Sequence, residues 1–447
     1  MKKILLLISI TFISCSTTEN IPTETVNKTE EIQTPIEDSV TESTTSTTLI
    51  ENLKTNLNLT EYEDFEGSKT ELISLSKNKI TDIENIKERN LTLVGIQSEN
   101  FIYRLDYEKS ELVKFLKFTD SIDTSLSPEA GMVKILVIEN KFLLISYTNS
   151  SLEILVKQYD LDSLGEEGNI IYKETMIQNV HPCLDMVYDK STNEIYFCRG
   201  DSSMQLNENS QQIHLPDGKI HRFLFSKDDG FISNGLIDIQ LSYLSVFPNT
   251  SPVGIESIFA IGVRNPYELH LSDDNLLYIP DVGGQNIEEL NIINLETEIG
   301  SLINYGWPFY NGTDKTDNEK ILKDFIISED SINDFLNNHF VHSLPFLQYD
   351  HTTLTERGRR CAIIGGSTYF GDKSNAWRNK YFFGDYCTGE VFALYGEYPS
   401  FKILRLFQLD ENITYIGNDI KGEILIGTEN NGNDEEEKGK IYRLTLP

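Results

Sequence analysis

The segment that decides the interpretation of this chain reads IGVRNP over residues 261–266, LLYIPDVGGQNIEELN over residues 276–291 and NYGWP over residues 304–308. It predicts a turn before a strand, a Gly-Gly corner with exposed carbonyl oxygens, a pair of carboxylates and an aromatic turn. Carbonyl and carboxylate oxygens are ligands that suit Ca²⁺, and the Arg264-Asn265 pair suits an anionic or carbonyl-rich ligand. As bare chemistry, the same residues would equally form a structural turn between two sheets.

Short segments of strand-like character lie on both sides of this stretch. Examples are Lys141–Tyr147, Leu152–Tyr159, Glu390–Tyr395 and Lys440–Leu444. Alternating or fully apolar runs bounded by Gly, Asn or Asp are typical of strands, and many of them at regular spacing predict a sandwich, a barrel or a propeller. The folded part is too long for a simple sandwich, whereas six blades of about 63 residues would accommodate it. The pattern therefore favours an all-β propeller.

The composition excludes one class of partner. The 447 residues include 38 Lys and Arg against 70 Asp and Glu, which gives a formal net charge of −32. This charge repels a phosphate backbone, so we expect no nucleic-acid binding. It suits a neutral or cationic ligand, or a bound divalent cation. Hydrophobic residues make up 39% of the chain, which is enough for a substantial core.

The first residues have the pattern of an export signal. Lys2 and Lys3 precede an apolar run over residues 4–13, which is too short to span a bilayer. Ser14 and Cys15 then resemble the lipobox of bacterial lipoproteins, in which the cysteine is lipidated and becomes the mature N-terminus. We expect a signal peptide over residues 1–15, lipidation of Cys15, and an exported lipoprotein held at the outer membrane or cell surface by its lipid anchor alone. The alternative is an ordinary secretory signal cleaved nearby.

A linker rich in Ser, Thr and Glu follows over residues 16–65. Its first part, to about residue 50, has no aromatic residue and cannot bury enough apolar surface to offset the entropy of ordering. We therefore predict a disordered tether over residues 16–65 and a folded domain over residues 66–447.

Four cysteines remain in the folded part: Cys183, Cys198, Cys361 and Cys387. An even number in an exported protein suggests disulfides. The first two flank a predicted hairpin, in which pairing Val187 with Glu194 sets them opposite each other. The last two lie on strand-like runs, so we expect each cysteine to pair locally, although four cysteines allow three connectivities. A Cys/His metal site is the weaker alternative, because no CxxC pair exists.

The exact order of residues in the segment quoted first is far more informative than its chemical composition. It resembles the glucose/sorbosone dehydrogenase family of soluble quinoproteins, whose pattern there is G-x-R-N-P, then D-x-G-x-x-x-x-E-E-[IL]-N, then N-Y-G-W-P. A second match covers residues 361–369 and 381–387, where the family commonly has a GG-x-x-Y strand and then a Y-F-F-x-D-Y-C strand. Weaker matches lie at residues 129–132 and 427–443. The resemblance spans roughly residues 70–447.

The resemblance implies a six-bladed β-propeller that uses pyrroloquinoline quinone and Ca²⁺. The implied reaction is oxidation of an aldose or related sugar by hydride transfer to the quinone. The implied catalytic residues are His181, which matches the start of the family's H-x-G-G strand, and Arg264. The implied ligands are Glu129, Arg264, Asn265 and Glu429 for the cofactor, and Gly283, Gly284, Glu289 and Tyr305 for the metal. The sequence identifies neither the sugar nor the electron acceptor.

One departure from the family pattern lies beside the implied base. Cys183 and Leu184 stand where the family has small glycines, and their bulkier side chains would narrow the pocket. This departure favours an alternative function of another class, a catalytically inactive propeller that acts as a cell-surface binding module. The intact R-N-P and N-Y-G-W-P motifs favour the enzyme, which is our prediction from the sequence.

Overall fold

The computed structural model describes residues 57–59, 61–118, 120–123, 129–165, 167–178, 180–204, 208–234, 257–284, 286–298, 302–316, 330, 333, 340, 342–430 and 438–447. The expected signal peptide, the expected lipidation site Cys15 and residues 16–56 of the expected linker lie outside these ranges. Within them, no helix is long and apolar enough to cross a bilayer.

Strands dominate the described residues, with three 3₁₀ turns at Lys87–Arg89, Asn209–Gln211 and Asn375–Trp377. The first sixteen strands are β1 (Leu57–Asn58), β2 (Tyr62–Asp64), β3 (Lys69–Ser76), β4 (Ile80–Ile86), β5 (Leu91–Ile96), β6 (Phe101–Asp106), β7 (Glu111–Lys117), β8 (Val133–Ile138), β9 (Phe142–Thr148), β10 (Glu153–Asp160), β11 (Asn169–Thr175), β12 (Met186–Asp189), β13 (Glu194–Arg199), β14 (Lys219–Ser226), β15 (Gly230–Ser233) and β16 (Ile258–Ile261). The next sixteen are β17 (His270–Leu271), β18 (Leu276–Asp281), β19 (Ile287–Asn294), β20 (Ile303–Asn304), β21 (Tyr310–Asn311), β22 (Asp314–Lys315), β23 (Leu347–Asp350), β24 (Leu354–Thr355), β25 (Gly358–Arg359), β26 (Ile363–Ile364), β27 (Tyr381–Asp385), β28 (Glu390–Tyr395), β29 (Lys402–Gln408), β30 (Asn412–Asn418), β31 (Ile424–Glu429) and β32 (Gly439–Thr445).

Six antiparallel sheets form the blades of a propeller. In order from the centre outward, they are β4-β5-β6-β7, β8-β9-β10-β11, β12-β13-β14-β15, β17-β18-β19-β23, β26-β27-β28-β29 and β30-β31-β32-β3, which we number blades 1 to 6. The innermost strands of neighbouring blades contact each other in a ring: β4 contacts β8, β8 contacts β12, β12 contacts β17, β26 contacts β30, and β30 contacts β4. Blades 4 and 5 contact each other through β18 and β26. The predicted all-β, six-bladed propeller is confirmed.

The two ends of the described chain close the ring. β3 pairs antiparallel with β32, from Lys69 opposite Thr445 to Ser76 opposite Gly439. The last blade therefore takes its outer strand from the beginning of the domain. This pairing ties the beginning of the domain to its end within one sheet.

The strands nearest the centre are buried on both faces. All seven residues of β9 are buried, whereas most residues of β11, at the outer edge of the same blade, are exposed. This difference explains why some strands have continuous apolar runs in the sequence and others alternate.

Apart from β3, which joins blade 6 from the start of the domain, the strands of each blade follow one another along the chain from the innermost strand outward. The six innermost strands consequently start on one face of the disc, which we call the upper face. β16 also pairs in parallel with β20, with Ile261 opposite Asn304. The IGVRNP and NYGWP motifs therefore lie side by side, although about 40 residues separate them.

The hairpin of blade 3 forms, but in a register that differs from the expected one. Val187 lies opposite Tyr196 rather than Glu194, and Glu194 instead lies opposite Asp189. The expected pairing is therefore wrong by two residues. β12 continues to Asp189, one residue further than expected. The Asp189 carboxylate accepts a hydrogen bond from the backbone N of Ser191 at 2.7 Å, so the tight turn starts only after this residue.

Both expected disulfides are present. Cys183 and Cys198 bond with their Cα atoms 5.7 Å apart, and Cys361 and Cys387 with theirs 5.6 Å apart. The first bond forms despite the shifted register, because Cys183 lies in the loop before β12 rather than in the ladder of paired strands.

Two short strands lie within the last residues of the expected linker. β1 pairs in parallel with β23 of blade 4, and β2 pairs in parallel with β29 of blade 5. Leu59 is fully buried, and the Tyr62 ring lies 6.0 Å from the ring of Phe392. Strands of two or three residues leave no periodic pattern in a sequence, so the composition alone assigns them to the tether.

Candidate active site

The implied catalytic and cofactor residues lie in loops on the upper face. Glu129 precedes β8, His181 precedes β12 and Asn265 precedes β17. Glu429 ends β31, opposite Asn412 at the start of β30. Residues from blades 2, 3, 4 and 6 are thus directed to one end of the central axis, because the innermost strands all begin there.

Glu129 links three blades through its carboxylate. Its Oε2 accepts a hydrogen bond from the backbone N of His181 at 2.7 Å, and its Oε1 accepts one from Asn265 Nδ2 at 2.6 Å. Hydrogen bonds to an ionised acceptor are about twice as strong as neutral ones. This side chain therefore fixes the loop that carries the implied base relative to the implied cofactor ligand.

The imidazole of His181 is paired with a buried carboxylate. His181 Nδ1 lies 2.7 Å from Oδ1 of Asp201, and the two side chains are 8% and 0% exposed. An ionised carboxylate only accepts hydrogen bonds, so Nδ1 carries the proton and Nε2 is the acceptor nitrogen. The pair is therefore arranged to take up a proton at Nε2 and to stabilise the resulting cation.

Asp201 joins this pair to the aromatic turn. Its Oδ2 accepts a hydrogen bond from Trp307 Nε1 at 2.9 Å, and its Oδ1 also accepts one from the backbone N of Ser203 at 3.1 Å. The backbone N of Asp201 donates to the carbonyl of Arg264 at 2.7 Å. Both carboxylate oxygens and the main chain are thus held, which leaves this residue little freedom to turn.

The backbone of the Arg-Asn pair is held by Asp281 at the end of β18. Its Oδ2 accepts a hydrogen bond from the backbone N of Arg264 at 2.9 Å, and its Oδ1 accepts one from the backbone N of Asn265 at 2.7 Å. Burial raises the pKa of Asp281 to about 7, against the lowering effect of these two hydrogen bonds. Asp281 thereby orients the Arg-Asn turn through its main chain.

The side chain of Arg264 lies against the Trp307 ring. Its guanidinium carbon is 5.5 Å from the ring centroid, and Nη1 donates to the carbonyl of Val282 at 2.9 Å. A Cβ atom on Gly284 would lie 3.2 Å from the same ring. The Gly-Gly corner, the guanidinium and the indole therefore form one cluster.

The implied metal ligands differ in the contacts that they make. Gly283 and Gly284 belong to this cluster, and the backbone N of Gly283 donates to Glu288 Oε2 at 3.3 Å. Glu289 Oε1 accepts a hydrogen bond from Gly312 N, and the preceding residue, Asn311, accepts one from Gly284 N at 3.5 Å. Tyr305 is buried in the core. Burial raises the pKa of Glu289 to about 8 and that of Tyr305 well above its usual value.

Glu429 lies near a lysine that the sequence analysis did not single out. Its Oε2 accepts a hydrogen bond from Tyr386 Oη at 3.1 Å. Burial lowers the pKa of Lys79, and the charges of Glu429 and Glu129 oppose that shift, so the ammonium lies within electrostatic reach of both carboxylates. Lys79 immediately precedes β4, so blade 1 also contributes a charged group to the upper face.

The comparison with known protein families agrees with this architecture. The sequence profile of the glucose/sorbosone dehydrogenase family matches residues 128–443, a range that runs from the loop of Glu129 into the last strand of blade 6. The chain belongs to the glucose/sorbosone dehydrogenase family. No curated protein matches the sequence.

Solved structures of sugar dehydrogenases share the fold at low identity. A crystal structure of a glucose dehydrogenase is 14% identical with a TM-score of 0.62, covering 85% of this chain and 100% of that one. The soluble aldose sugar dehydrogenase of Escherichia coli, in its apo form, is 14% identical with a TM-score of 0.60, covering 85% of this chain and 99% of that one. The pyrroloquinoline-quinone-bound aldose sugar dehydrogenase of Streptomyces coelicolor is 13% identical with a TM-score of 0.60, covering 86% of this chain and 100% of that one.

The loop that carries the implied base has an unusual backbone. His181, Cys183 and Leu184 all have positive φ angles, of 52°, 55° and 75°. Glycine adopts this left-handed conformation freely, whereas other residues pay about 1–2 kcal/mol each. Leu184 is fully buried, and its side chain packs in the hydrophobic core. The loop thus has a left-handed backbone at three residues whose side chains disfavour it.

Three residues of the site were not assigned roles from the sequence: Asp201, Trp307 and Lys79. Asp201 follows a glycine in a turn, a position that indicates only a change of chain direction. Trp307 lies in a motif that resembles the family, but its contact with the carboxylate depends on the pairing of β16 with β20. Lys79 precedes an innermost strand, and this position has meaning only once the blades are known.

Proposed function

We propose that this protein oxidises a sugar hydroxyl by hydride transfer to bound pyrroloquinoline quinone, with Ca²⁺ beside the quinone. The observation that carries the proposal is the hydrogen-bonded group of Glu129, His181, Asp201 and Asn265 on the upper face, with the guanidinium of Arg264 next to it. It brings together an imidazole, a guanidinium and one side-chain amide. Membership of the glucose/sorbosone dehydrogenase family supports the reaction class.

The residues present fit an anionic quinone. The guanidinium of Arg264 supplies a positive charge beside the cluster, and Asn265 Oδ1 is buried without a hydrogen-bond partner among the described residues, so this oxygen suits a donor group of the cofactor or a cation. Asn265 and Arg264 would hold the cofactor, with Glu129 and Glu429 at its margin. When bound, the quinone supplies the hydride acceptor, and the protein supplies position and charge.

A calcium ion at this site would depend on main-chain oxygens. The described residues contain no group of three or more His, Cys, Asp or Glu side chains arranged to hold a metal ion. The carbonyl oxygens of Gly283 and Gly284, together with oxygens of the cofactor, are the hard donors that Ca²⁺ prefers. Glu289 and Tyr305 are the proposed neighbours of a metal in the adjoining loop.

His181 would take the proton of the sugar hydroxyl at Nε2. Asp201 would hold the Nδ1 proton and stabilise the imidazolium that forms. General-base catalysis of this kind typically raises the rate by a factor of about 10²–10⁴. Arg264 would place a fixed positive charge where negative charge develops during the transfer.

The test is reconstitution of the full chain with pyrroloquinoline quinone and Ca²⁺, followed by dye reduction with a panel of aldoses. We expect turnover with at least one sugar, and a loss of about 10²–10⁴ in kcat for His181→Ala with quinone binding retained. His270→Gln is the control, because this histidine lies on β17 and bonds Thr368 Oγ1 away from the cluster. Absence of both dye reduction and quinone absorbance changes would reject the enzyme and leave the binding module as the function to test.

Export by way of a lipid anchor at Cys15 is part of the same proposal. The two disulfides support an oxidising compartment. The test is metabolic labelling with a radioactive fatty acid in a bacterial host. We expect label in the wild-type chain and none in Cys15→Ser, while equal labelling of both would contradict lipidation at this position.

A further inference from the structure

Two segments of blade 3 beside the implied base, residues 181–185 and 198–201, are connected by a disulfide, a hydrogen bond and a main-chain contact. The disulfide links Cys183 to Cys198, and the backbone N of Cys198 donates to the carbonyl of Asp185 at 3.1 Å. Two residues after Cys198, a Cβ on Gly200 would lie 2.1 Å from the carbonyl oxygen of His181, so the two main chains are in direct contact. The segments over residues 181–185 and 198–201 therefore behave as one unit.

This unit holds a backbone that the residue types disfavour. His181, Cys183 and Leu184 have left-handed φ angles, and such angles persist at non-glycine residues only where the surroundings over-determine them. The disulfide is one such constraint, and its two cysteines are 2% and 0% exposed. Among the described residues of this unit, the disulfide is also the only covalent cross-link.

We propose that the Cys183–Cys198 disulfide is a positioning element for His181. The covalent bond keeps the segment over residues 181–184 in its left-handed conformation against β13. That conformation directs Nδ1 of His181 to Asp201 and leaves Nε2 facing the reacting hydroxyl. The inference rests on the proposed function for its kinetic consequence, but the geometric consequence holds for whatever reaction the site performs.

The chain offers a matched control. Cys361 and Cys387 form a disulfide with nearly the same Cα separation, 5.6 Å against 5.7 Å, and a longer loop, 26 residues against 15. Loss of that bond removes a cross-link of similar stabilising effect. It does not alter any contact of His181 with Glu129 or Asp201.

The experiment compares three variants of the full chain, reconstituted with pyrroloquinoline quinone and Ca²⁺. Cys183→Ala with Cys198→Ala removes the bond and places an alanine at position 183, where the left-handed backbone conformation is disfavoured. Cys183→Gly with Cys198→Ala removes the bond but permits that backbone at no steric cost. Cys361→Ala with Cys387→Ala is the control.

We expect the alanine pair to lower kcat about 10–100-fold while the sugar KM changes less than about threefold, because small misplacement of a catalytic group costs rate more than binding. The glycine pair should recover part of this loss, since only the backbone preference differs between the two. The control pair should keep the wild-type kcat. A cross-link that acts on stability alone would lower the unfolding temperature in all three and leave kcat unchanged, and this result would overturn the proposal.

A second measurement does not depend on activity. In the unliganded protein, the Nδ1 proton of His181, bonded to a carboxylate, should give a downfield proton resonance in ¹⁵N-histidine-labelled samples. We expect the resonance in the wild type and the control, and its loss or broadening in the alanine pair. If turnover is absent from every sample, the resonance still decides the positioning role. If the alanine pair does not fold, Cys183→Ser with Cys198→Ser takes its place, because serine also disfavours the left-handed backbone, and a wild-type kcat and resonance there would refute the role.

Discussion

Nδ1 of His181 lies 2.7 Å from Oδ1 of Asp201, and the other oxygen of that carboxylate accepts a hydrogen bond from Trp307 Nε1 at 2.9 Å. The orientation of one imidazole is therefore determined by the loop after β13 and by a tryptophan that follows β20. Because the carboxylate is fully buried, water cannot replace either partner cheaply. This arrangement makes the pair rigid, and it makes the proposed base sensitive to conservative changes around it.

Asp201→Asn should lower kcat about 100-fold or more with little change in the sugar KM. An amide has only one acceptor oxygen, so it faces either the Nδ1 proton or the Trp307 Nε1 proton with a donor group, and the imidazole tautomer or orientation changes. Steady-state dye reduction measures the effect. Asp189→Asn is the control, because it removes a carboxylate that caps a turn elsewhere in blade 3. Equal kcat values for the two variants would contradict a role for Asp201 in orienting the base.

Glu129→Ala should weaken binding of the quinone about tenfold. The substitution leaves Asn265 Nδ2 and the backbone N of His181 without their acceptor, and an unsatisfied buried donor costs about 1–3 kcal/mol. Glu129→Gln keeps one acceptor oxygen, so its effect should be smaller. Titration of tryptophan fluorescence with the quinone measures both, with the exposed Glu63→Ala as control. Wild-type affinity in Glu129→Ala would show that Glu129 does not organise the cofactor site.

Gly200→Ala should disrupt the site and destabilise the protein by about 1–3 kcal/mol. The new Cβ would lie 2.1 Å from the carbonyl oxygen of His181 and 2.7 Å from its Cβ, so the base must move. We expect a kcat at least about tenfold lower and a lower thermal midpoint. Gly165→Ala is the matched control, because no atom lies within 4 Å of the Cβ that it introduces. An unchanged kcat in Gly200→Ala would refute the close packing of these two segments.

His221 should make stability depend on pH below about 6.5. The residue is 1% exposed, with Nε2 bonded to the Pro216 carbonyl at 2.8 Å and Nδ1 to Ser257 Oγ at 2.9 Å. Burial lowers its pKa to about 3. Between about pH 6.5 and pH 3, the unfolded chain therefore binds a proton at this histidine that the folded chain does not bind. The contribution of His221 to the free energy of unfolding is complete above this pH range and is lost as the pH falls through it.

The expected loss at this one site is about 2 kcal/mol between pH 6.5 and pH 5. His221→Gln keeps a donor and an acceptor but cannot titrate, so its urea midpoint should fall less steeply over the same range. Measurements at pH 8, where the histidine is neutral in both states, are the internal control. Parallel pH profiles for the two proteins would contradict a buried neutral His221.

Much of the fold follows from local pattern. Runs such as β9 and β28 have the apolar character of buried strands, and the IGVRNP and NYGWP motifs resemble those of one family. The hairpin of blade 3 was predicted correctly, but its predicted register was wrong by two residues, because the side chain of Asp189 organises the turn by its own hydrogen bonds. β1 and β2 were not predicted, since their pairing with β23 and β29 depends on strands about 290 and 340 residues away.

The sequence by itself indicated the class of the fold, favoured local pairing of the four cysteines, and contained the motifs that predict an Arg-Asn pair, a Gly-Gly corner and a histidine base. These depend on periodicity, cysteine number and short strings, which are properties of neighbouring residues. Only the tertiary structure decided that Asp201 holds the imidazole and is itself bonded by Trp307, that Glu129 bridges three blades, and that Glu289 bonds the backbone of Gly312. Those contacts join loops that meet because six innermost strands start on one face, and no local pattern records which side chains meet there.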